Sequence, residues 1–150
     1  MVVEERVEGR PTLVVAALTS PERVSEVWPG LLDEVWALLR SAGVVSGCRN
    51  VMLYRDTVAG LHIEVGVLAP GGVRPSGRVV ASGLPAGPVA TTVHRGPYTG
   101  LGAAHRALGT WCRAAGRQPA GSRWEVYGPH RDDPAQLSVE VSWLLADVPG

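Results

Sequence analysis

The sequence contains no phenylalanine and no lysine, and only two cysteines occur among its 150 residues. The absence of lysine excludes Schiff-base chemistry and P-loop nucleotide binding, because both need a lysine ammonium group. Cys48 and Cys112 are too few for a disulfide framework, and neither belongs to a Cys-x-x-Cys pair or a Cys/His ligand cluster. We therefore expect two reduced cysteines, no metal site and no cofactor.

Long uncharged apolar runs are also missing, and no stretch reaches the roughly 18 residues that a membrane-spanning helix needs. The amino-terminal segment 1–6 contains early acidic residues and lacks the cationic start of a secretory signal. Fourteen basic residues, all arginine, balance 14 acidic ones, which removes the usual electrostatic case for nucleic-acid binding. These absences predict a cytoplasmic protein that has neither a membrane nor a nucleic acid as a direct partner.

The residues that are present are typical of a folded globular protein, with 45% hydrophobic and 19% charged side chains. Hydrophobic periodicity predicts strands at residues 12–18, 50–55, 61–68, 78–84, 89–94, 122–127 and 137–145. It predicts one helix with apolar positions from Trp28 to Ala42, in which Pro29 takes the first helical position and Gly43 follows the end. A second predicted helix runs from Tyr98 to Ala115 and is closed by Gly116.

The two halves of the chain resemble each other. Residues 61–68 (LHIEVGVL) and 137–144 (LSVEVSWL) match at Leu, Glu, Val and Leu with an offset of 76, and the helix-ending glycines lie 73 residues apart. These offsets indicate a duplicated strand–helix–strand–strand unit, with repeat one at about 9–69, a linker at about 70–77 and repeat two at about 78–146. We predict a single α+β domain in which the tandem units form an antiparallel sheet with two helices on one face and a central ligand cleft.

The duplication places Glu64 and Glu140 at equivalent positions in the middle of two strands. Because side chains alternate along a strand, both acids point away from the helix-covered face. Their neighbours on that second face are small or polar: His62, Gly66, Ser138 and Ser142. Two interpretations stay open, an ordinary acid on a solvated face or an acid in the floor of a groove.

A third acid, Glu125, lies in the strand segment Trp124-Glu125-Val126-Tyr127. A buried carboxylate costs several kcal/mol unless it is paired or protonated. No lysine is available to pair with Glu125, although an arginine or a cationic ligand could do so. Aromatic rings stabilise a stacked cation by about 0.5–2 kcal/mol. The segment therefore favours a site for flat, lipophilic cations.

Catalytic motifs are scarce, since the sequence contains no GxSxG, no HExxH and no P-loop. The histidines show no metal-ligand spacing, and each is interpreted as a structural or exposed residue: His62, His94, His105 and His130.

Several of these segments carry a family resemblance. The stretch Arg95-Gly96-Pro97-Tyr98 with the helix after it, the segment 124–127, Asp133-Pro134 and Val139-Glu140-Val141 resemble the GyrI-like small-molecule-binding domain family. This domain forms the effector-binding end of several bacterial multidrug-sensing transcription activators. The similarity spans nearly the whole chain, and the family fold is a tandem pair of strand–helix–strand–strand units. The sensors carry a DNA-binding region ahead of this domain, whereas this chain starts almost directly with the first strand, so we expect a free-standing member.

The resemblance implies a cleft that binds hydrophobic, often cationic, planar compounds, with a role in drug sequestration or resistance. It assigns the pocket acid to Glu125, the strand aromatic to Tyr127, the acid of the last strand to Glu140 and the tyrosine at the helix start to Tyr98. The predicted ligand site is completed by aromatic walls from Trp143, Trp36 and Trp111.

Two other functions stay open at this stage. Some family members are thought to hydrolyse strained cyclopropane-bearing natural products, and here Glu125 would be the catalytic general base while Tyr127 orients the electrophile. The family name comes from a gyrase inhibitor, so DNA gyrase is a second candidate partner. The sequence does not decide whether the chain forms a homodimer.

Overall fold

The computed structural model describes residues 1–147, which form two compact units, each with four strands and one α-helix. The first unit is Arg10–Leu84, and the second consists of Met1–Gly9 together with residues 85–147. All strand pairs within each unit are antiparallel. The protein therefore has the predicted α+β fold with tandem units.

Eight strands and two helices make up the described residues. In chain order they are β1 (Val3–Val7), β2 (Arg10–Thr19), α1 (Val24–Ser41), β3 (Asn50–Thr57), β4 (Gly60–Leu68), β5 (Val80–Leu84), β6 (Gly87–Arg95), α2 (Leu101–Ala115), β7 (Pro119–Tyr127) and β8 (Ser138–Leu145). One-turn 3₁₀ helices occur at Tyr98–Gly100 and Pro134–Gln136. The strand order is β3-β4-β2-β5 in the first unit and β1-β6-β8-β7 in the second.

The compact units differ from the predicted repeat boundaries at two edge strands. The sequence pattern predicts that the segment of β5 opens the second repeat, but β5 pairs with β2 and belongs to the first unit. The second unit obtains its fourth strand from β1, which pairs with β6 and which the sequence pattern does not predict. The sequence of β1, VEERV, is too charged to show apolar alternation, and charged residues are common on edge strands.

The first helix begins earlier than its proline indicates. Helix α1 starts at Val24, so Pro29 lies inside it rather than at its first position. The turn that starts the helix is stabilised by the Glu26 N–H, which donates to the Arg23 carbonyl oxygen at 3.0 Å. Pro29 removes one hydrogen bond from the helix ladder, and its exposed position accommodates the loss.

Both helices bury the same stripe of residues. Helix α1 buries Leu31, Val35 and Leu39, and helix α2 buries Ala104, Leu108 and Cys112 at the corresponding places. In β4 the helix-side residues alternate as predicted and are almost fully buried: Leu61, Ile63, Val65 and Val67. Helix α2 ends at Gly116, whose φ of 66° is the left-handed conformation that favours glycine at this position. Within residues 1–147, neither helix combines the length and the apolar character needed to cross a membrane.

Candidate functional site

The acid Glu125 lies on the helix-covered face of the second unit. In β7, Glu125 pairs with Val141 of β8 and Tyr127 pairs with Val139, and both valines belong to the cluster that packs with α2. Directly paired residues of an antiparallel sheet point to the same face, so Glu125 and Tyr127 also face α2. Glu125 is only 3% exposed.

Two side chains hold the Glu125 carboxylate from opposite sides. The Tyr127 hydroxyl donates to Oε1 at 2.7 Å, and Nε2 of His105, on α2, lies 2.7 Å from Oε2. The other imidazole nitrogen, Nδ1, accepts a hydrogen bond from the Trp143 indole N–H at 3.0 Å. An indole N–H can only donate, so His105 Nδ1 is unprotonated and Nε2 carries the proton that it donates to Glu125. The carboxylate thus accepts hydrogen bonds from a phenol and from a neutral imidazole.

Aromatic rings surround this acid. The Trp143 ring lies 6.2 Å from the His105 imidazole, and Tyr98 packs edge-on against Tyr127 with ring centroids 5.4 Å apart. Gly109 makes room for the indole, because a Cβ at this position would lie 3.2 Å from the Trp143 ring. We call the five residues Tyr98, His105, Glu125, Tyr127 and Trp143 the Glu125 cluster.

The turn before α2 positions the outermost ring of the cluster. Gly96 has a φ of 108°, and His94 Nε2 lies 2.8 Å from the Pro97 carbonyl oxygen. A carbonyl oxygen can only accept, so His94 donates this hydrogen bond. The His94 imidazole also lies against Gly100, where an added Cβ would be 2.8 Å from the ring. These contacts hold Tyr98 beside Tyr127, with 43% of Tyr98 exposed.

The structure brings together four of the residues that the sequence selected for the site, Tyr98, Glu125, Tyr127 and Trp143. Glu140 does not join them, because it pairs with Val126 and therefore lies on the opposite face of the sheet from Glu125. The two other tryptophans predicted for the site, Trp111 and Trp36, make structural contacts of their own. Trp111 packs against the core of the second unit, and Trp36 belongs to the first unit, where its indole N–H donates to Asn50 Oδ1 at 2.8 Å.

Sequence reasoning missed His105, which it interpreted as a structural or exposed residue. A signal was present, because Leu101, His105, Leu108 and Cys112 follow each other at spacings of four, three and four. This spacing places His105 on the inner face of α2. The bonds that define its role, to Glu125 on β7 and Trp143 on β8, depend on strand register and could not be read from spacing along the helix.

Glu64 of the first unit is also buried, at 6% exposure, but on the sheet face away from α1. Its Oε2 lies 3.3 Å from Arg55 Nη1 and 3.2 Å from His62 Nε2, and its Oε1 accepts a hydrogen bond from Ser82. Glu64 is therefore neither the solvated surface acid nor the bare groove acid that the sequence left open. Arg55 compensates its charge within the same unit.

Glu34, Arg78 and Cys112 have shifted pKa values. The hydrogen bond from Arg78 Nε to Glu34 Oε1, 2.9 Å long, lowers the pKa of Glu34 and raises that of Arg78. Burial raises the pKa of the Cys112 thiol. Within residues 1–147, the structure places no group of three or more His, Cys, Asp or Glu side chains where they could hold a metal ion.

No protein-family model and no curated protein sequence matches the chain. Several solved structures are similar to it. The EcmrR C-terminal domain superposes with a TM-score of 0.71 and 18% identity, over 99% of this chain and 98% of that one. SAV2435 bound to tetraphenylphosphonium has a TM-score of 0.72 and 9% identity, over 97% and 94%. A hydrolase encoded by lin2189 from Listeria innocua has a TM-score of 0.60 and 9% identity, over 97% and 91%. These likenesses establish a shared fold.

Proposed function

We propose that the chain is a small-molecule-binding protein of the GyrI-like kind, and that the Glu125 cluster binds hydrophobic, cationic compounds. The observation that carries this proposal is a carboxylate, 3% exposed, held by a phenol and an imidazole beside aromatic rings. The fold similarity to SAV2435, whose structure contains the lipophilic cation tetraphenylphosphonium, supports the same class of ligand.

Each part of the cluster has a distinct task in this function. Tyr127 and His105 orient the carboxylate, so its position is set before a ligand arrives. At an effective dielectric constant of about 20, a cation about 4 Å from a carboxylate gains roughly 4 kcal/mol of Coulomb energy, before desolvation is subtracted. Burial of apolar ligand surface adds roughly 25 cal/mol per Å². We infer that hydrophobic contact supplies most of the affinity, while Glu125 selects for positive charge.

Calorimetric titration with tetraphenylphosphonium tests this function. We expect the wild-type protein to bind and Glu125→Gln to bind at least about tenfold more weakly, because the amide is similar in shape but uncharged. Glu64→Gln is the matched control, since it removes an equally buried acid whose partners lie in the first unit, and its affinity should equal that of the wild type. Triphenylphosphine oxide, a neutral analogue, should bind the wild type and Glu125→Gln equally. Equal tetraphenylphosphonium affinity in the wild type and Glu125→Gln would disprove the electrostatic role of Glu125.

Hydrolysis of strained cyclopropane compounds is the second candidate function. Its support is the similarity to the Listeria innocua hydrolase and the placement of Glu125 and Tyr127 within one hydrogen bond of each other. Glu125 would accept a proton from water while the water oxygen attacks a ring carbon, and the carbon released by C–C cleavage would take up a proton. Tyr127 would first have to turn its hydroxyl from Glu125 to the electrophile. The test follows such a compound over time and measures whether each molecule gains one water. Hydrolysis at the wild-type rate by Glu125→Gln would contradict this assignment.

Binding to DNA gyrase is the third candidate and rests on the family resemblance alone. A supercoiling assay with purified gyrase tests it, since a modulator changes the rate of supercoiling in proportion to its concentration. Sedimentation of the chain at several concentrations tests homodimer formation.

A further inference from the structure

We propose that His105 sets the charge selectivity of the Glu125 cluster, because its neutral form admits a cation beside Glu125 and its protonated form excludes one. Ligand binding and protonation of His105 then compete for the same carboxylate. This inference rests on the proposed function and adds to it a residue that controls when the site accepts its ligand.

The hydrogen bonds of His105 define its neutral form. Nδ1 accepts from the Trp143 indole and Nε2 donates to Glu125, so both ring nitrogens are occupied. The added proton of an imidazolium would sit on Nδ1 and face the Trp143 N–H at 3.0 Å. Two donors cannot bond to each other, so protonation breaks the Trp143 hydrogen bond and leaves the Glu125 bond in place.

Protonation also changes the charge next to the carboxylate. A histidinium 2.7 Å from Glu125 Oε2 forms an ion pair in a site where only 3% of Glu125 is exposed. A ligand cation in contact with the same carboxylate then lies close to a second positive charge, which repels it. By linkage, a ligand that binds only the neutral form releases a proton when it meets the protonated form.

The other charged groups on the sheet side of α2 are of two kinds. Some keep the same charge over the pH range in which histidine titrates, and one histidine keeps its hydrogen bond over that range. Arg123 of β7 lies beside Trp143 in the strand register, and Glu4 of β1 pairs with Arg117 after the end of α2. His94 of β6 is the second titratable imidazole on this face. Its Nε2 donates to the Pro97 carbonyl, and this bond is possible whether His94 is neutral or protonated.

The neighbouring charges on α2 itself are also arginines. Arg106 follows His105 directly and is exposed, and Arg113 donates to Thr110 Oγ1 at 3.2 Å. Arginine stays protonated throughout the range in which histidine titrates. Among the described residues that face the cluster, His105 is therefore the group whose titration breaks a hydrogen bond and adds a charge beside Glu125.

The test compares wild-type protein with His105→Gln in titrations with tetraphenylphosphonium from about pH 8 to about pH 5.5. A glutamine amide can donate to Glu125 and accept from Trp143, but it cannot take up a proton in this range. We expect the wild-type affinity to fall about tenfold or more as the pH falls, and the His105→Gln affinity to change by less than about twofold. Triphenylphosphine oxide should show little pH dependence with either protein.

A measurement without ligand tests the switch separately. The indole N–H signal of Trp143 in a ¹⁵N spectrum, assigned from Trp143→Phe, should shift with pH in the wild type as its hydrogen bond to His105 breaks. The same signal should not shift in His105→Gln. His94→Gln is the control variant and should leave the Trp143 titration unchanged, because His94 bonds to Pro97.

The outcomes separate the two proposals. If tetraphenylphosphonium fails to bind at pH 8, the proposed function is wrong. The Trp143 titration still decides whether protonation of His105 breaks its hydrogen bond to Trp143. If the wild type binds with the same affinity at both ends of the range, the competition between ligand and proton is disproved. If the affinity of His105→Gln falls with pH as much as that of the wild type, another group causes the pH dependence, and the proposed role of His105 is wrong.

Discussion

The two units share a strand register but place different chemistry at equivalent positions. In the first unit Leu53 pairs with Glu64, and in the second Val126 pairs with Glu140, which aligns Met52 with Glu125 and Tyr54 with Tyr127. The Tyr54 hydroxyl contacts the Met52 sulfur at 3.5 Å, whereas the Tyr127 hydroxyl donates to the Glu125 carboxylate at 2.7 Å. One scaffold position therefore carries a thioether in one unit and a buried acid in the other.

The helices show the same difference. The buried stripes of α1 and α2 align with an offset of 73, which makes Leu32 the counterpart of His105. An apolar leucine and methionine in the first unit correspond to a histidine and glutamate in the second. The Glu125 cluster therefore differs from the same positions of the first unit by two polar side chains, His105 and Glu125, which lie 20 residues apart in sequence on different elements.

On the opposite face the contrast is reversed. Glu64 of the first unit is buried with Arg55 and His62, whereas its counterpart Glu140 is only half-buried. Two residues along the same strands, Gly66 of the first unit corresponds to Ser142 of the second. Each unit therefore buries one acid, on opposite faces, and only the acid of the second unit lies under its helix.

The largest expected loss of stability comes from a substitution at Gly66, whose counterpart in the second unit is Ser142. A Cβ there would overlap the Leu13 carbonyl oxygen and lie 2.8 Å from Val14 Cα, so the backbone of β2 would have to move. We expect Gly66→Ala to lower the free energy of unfolding by about 3 kcal/mol or more. The matched change Ser142→Ala removes one hydrogen bond to Thr91 and should cost about 1 kcal/mol. Urea denaturation measures both, and equal stabilities would contradict this reading of Gly66.

An intermediate effect comes from placing first-unit residues in the second unit. Glu125→Met alone removes the acceptor for His105 and Tyr127, and we expect it to cost about 1–3 kcal/mol. His105→Leu added to it gives the second position its first-unit apolar residue and should recover part of that loss, because it also removes the acceptor of the Trp143 indole N–H. Thermal denaturation of both single variants and the double variant measures the coupling. Additive effects would show that the two positions do not act as a pair.

The smallest effect concerns an exposed ion pair of the first unit. Arg78 lowers the pKa of Glu34, so this pair stabilises the fold above the ordinary glutamate pKa, and its contribution is lost as the pH falls through the lowered value. Both side chains are largely in water, so the contribution is small and weakened by salt. We expect Arg78→Gln to lose slightly more stability at neutral pH than in acid. Urea denaturation at both pH values measures it, and a larger loss in acid would contradict the sign.

Much of this fold could be predicted from periodicity, because each predicted strand and helix has a strong apolar face. Alternation along β7 also predicts that Glu125 and Tyr127 share one face of the strand, as they do. The edge strands could not be predicted in the same way. The sequence of β1 is too charged to show apolar alternation, and nothing in the sequence of β5 indicates which unit it joins. The predicted start of α1 at Pro29 is wrong, since the helix begins at Val24. Proline fits the first position of a helix, but an exposed proline is also tolerated inside one.

The amino-acid sequence by itself predicted the tandem strand–helix–strand–strand units and the buried faces of both helices, because these depend on side-chain period along single elements. Tertiary structure alone decided that His105 and Trp143 meet at Glu125 and that Arg55 pairs with Glu64. Those contacts join residues on different elements, and they exist only once strand register and helix packing bring the side chains within hydrogen-bond distance.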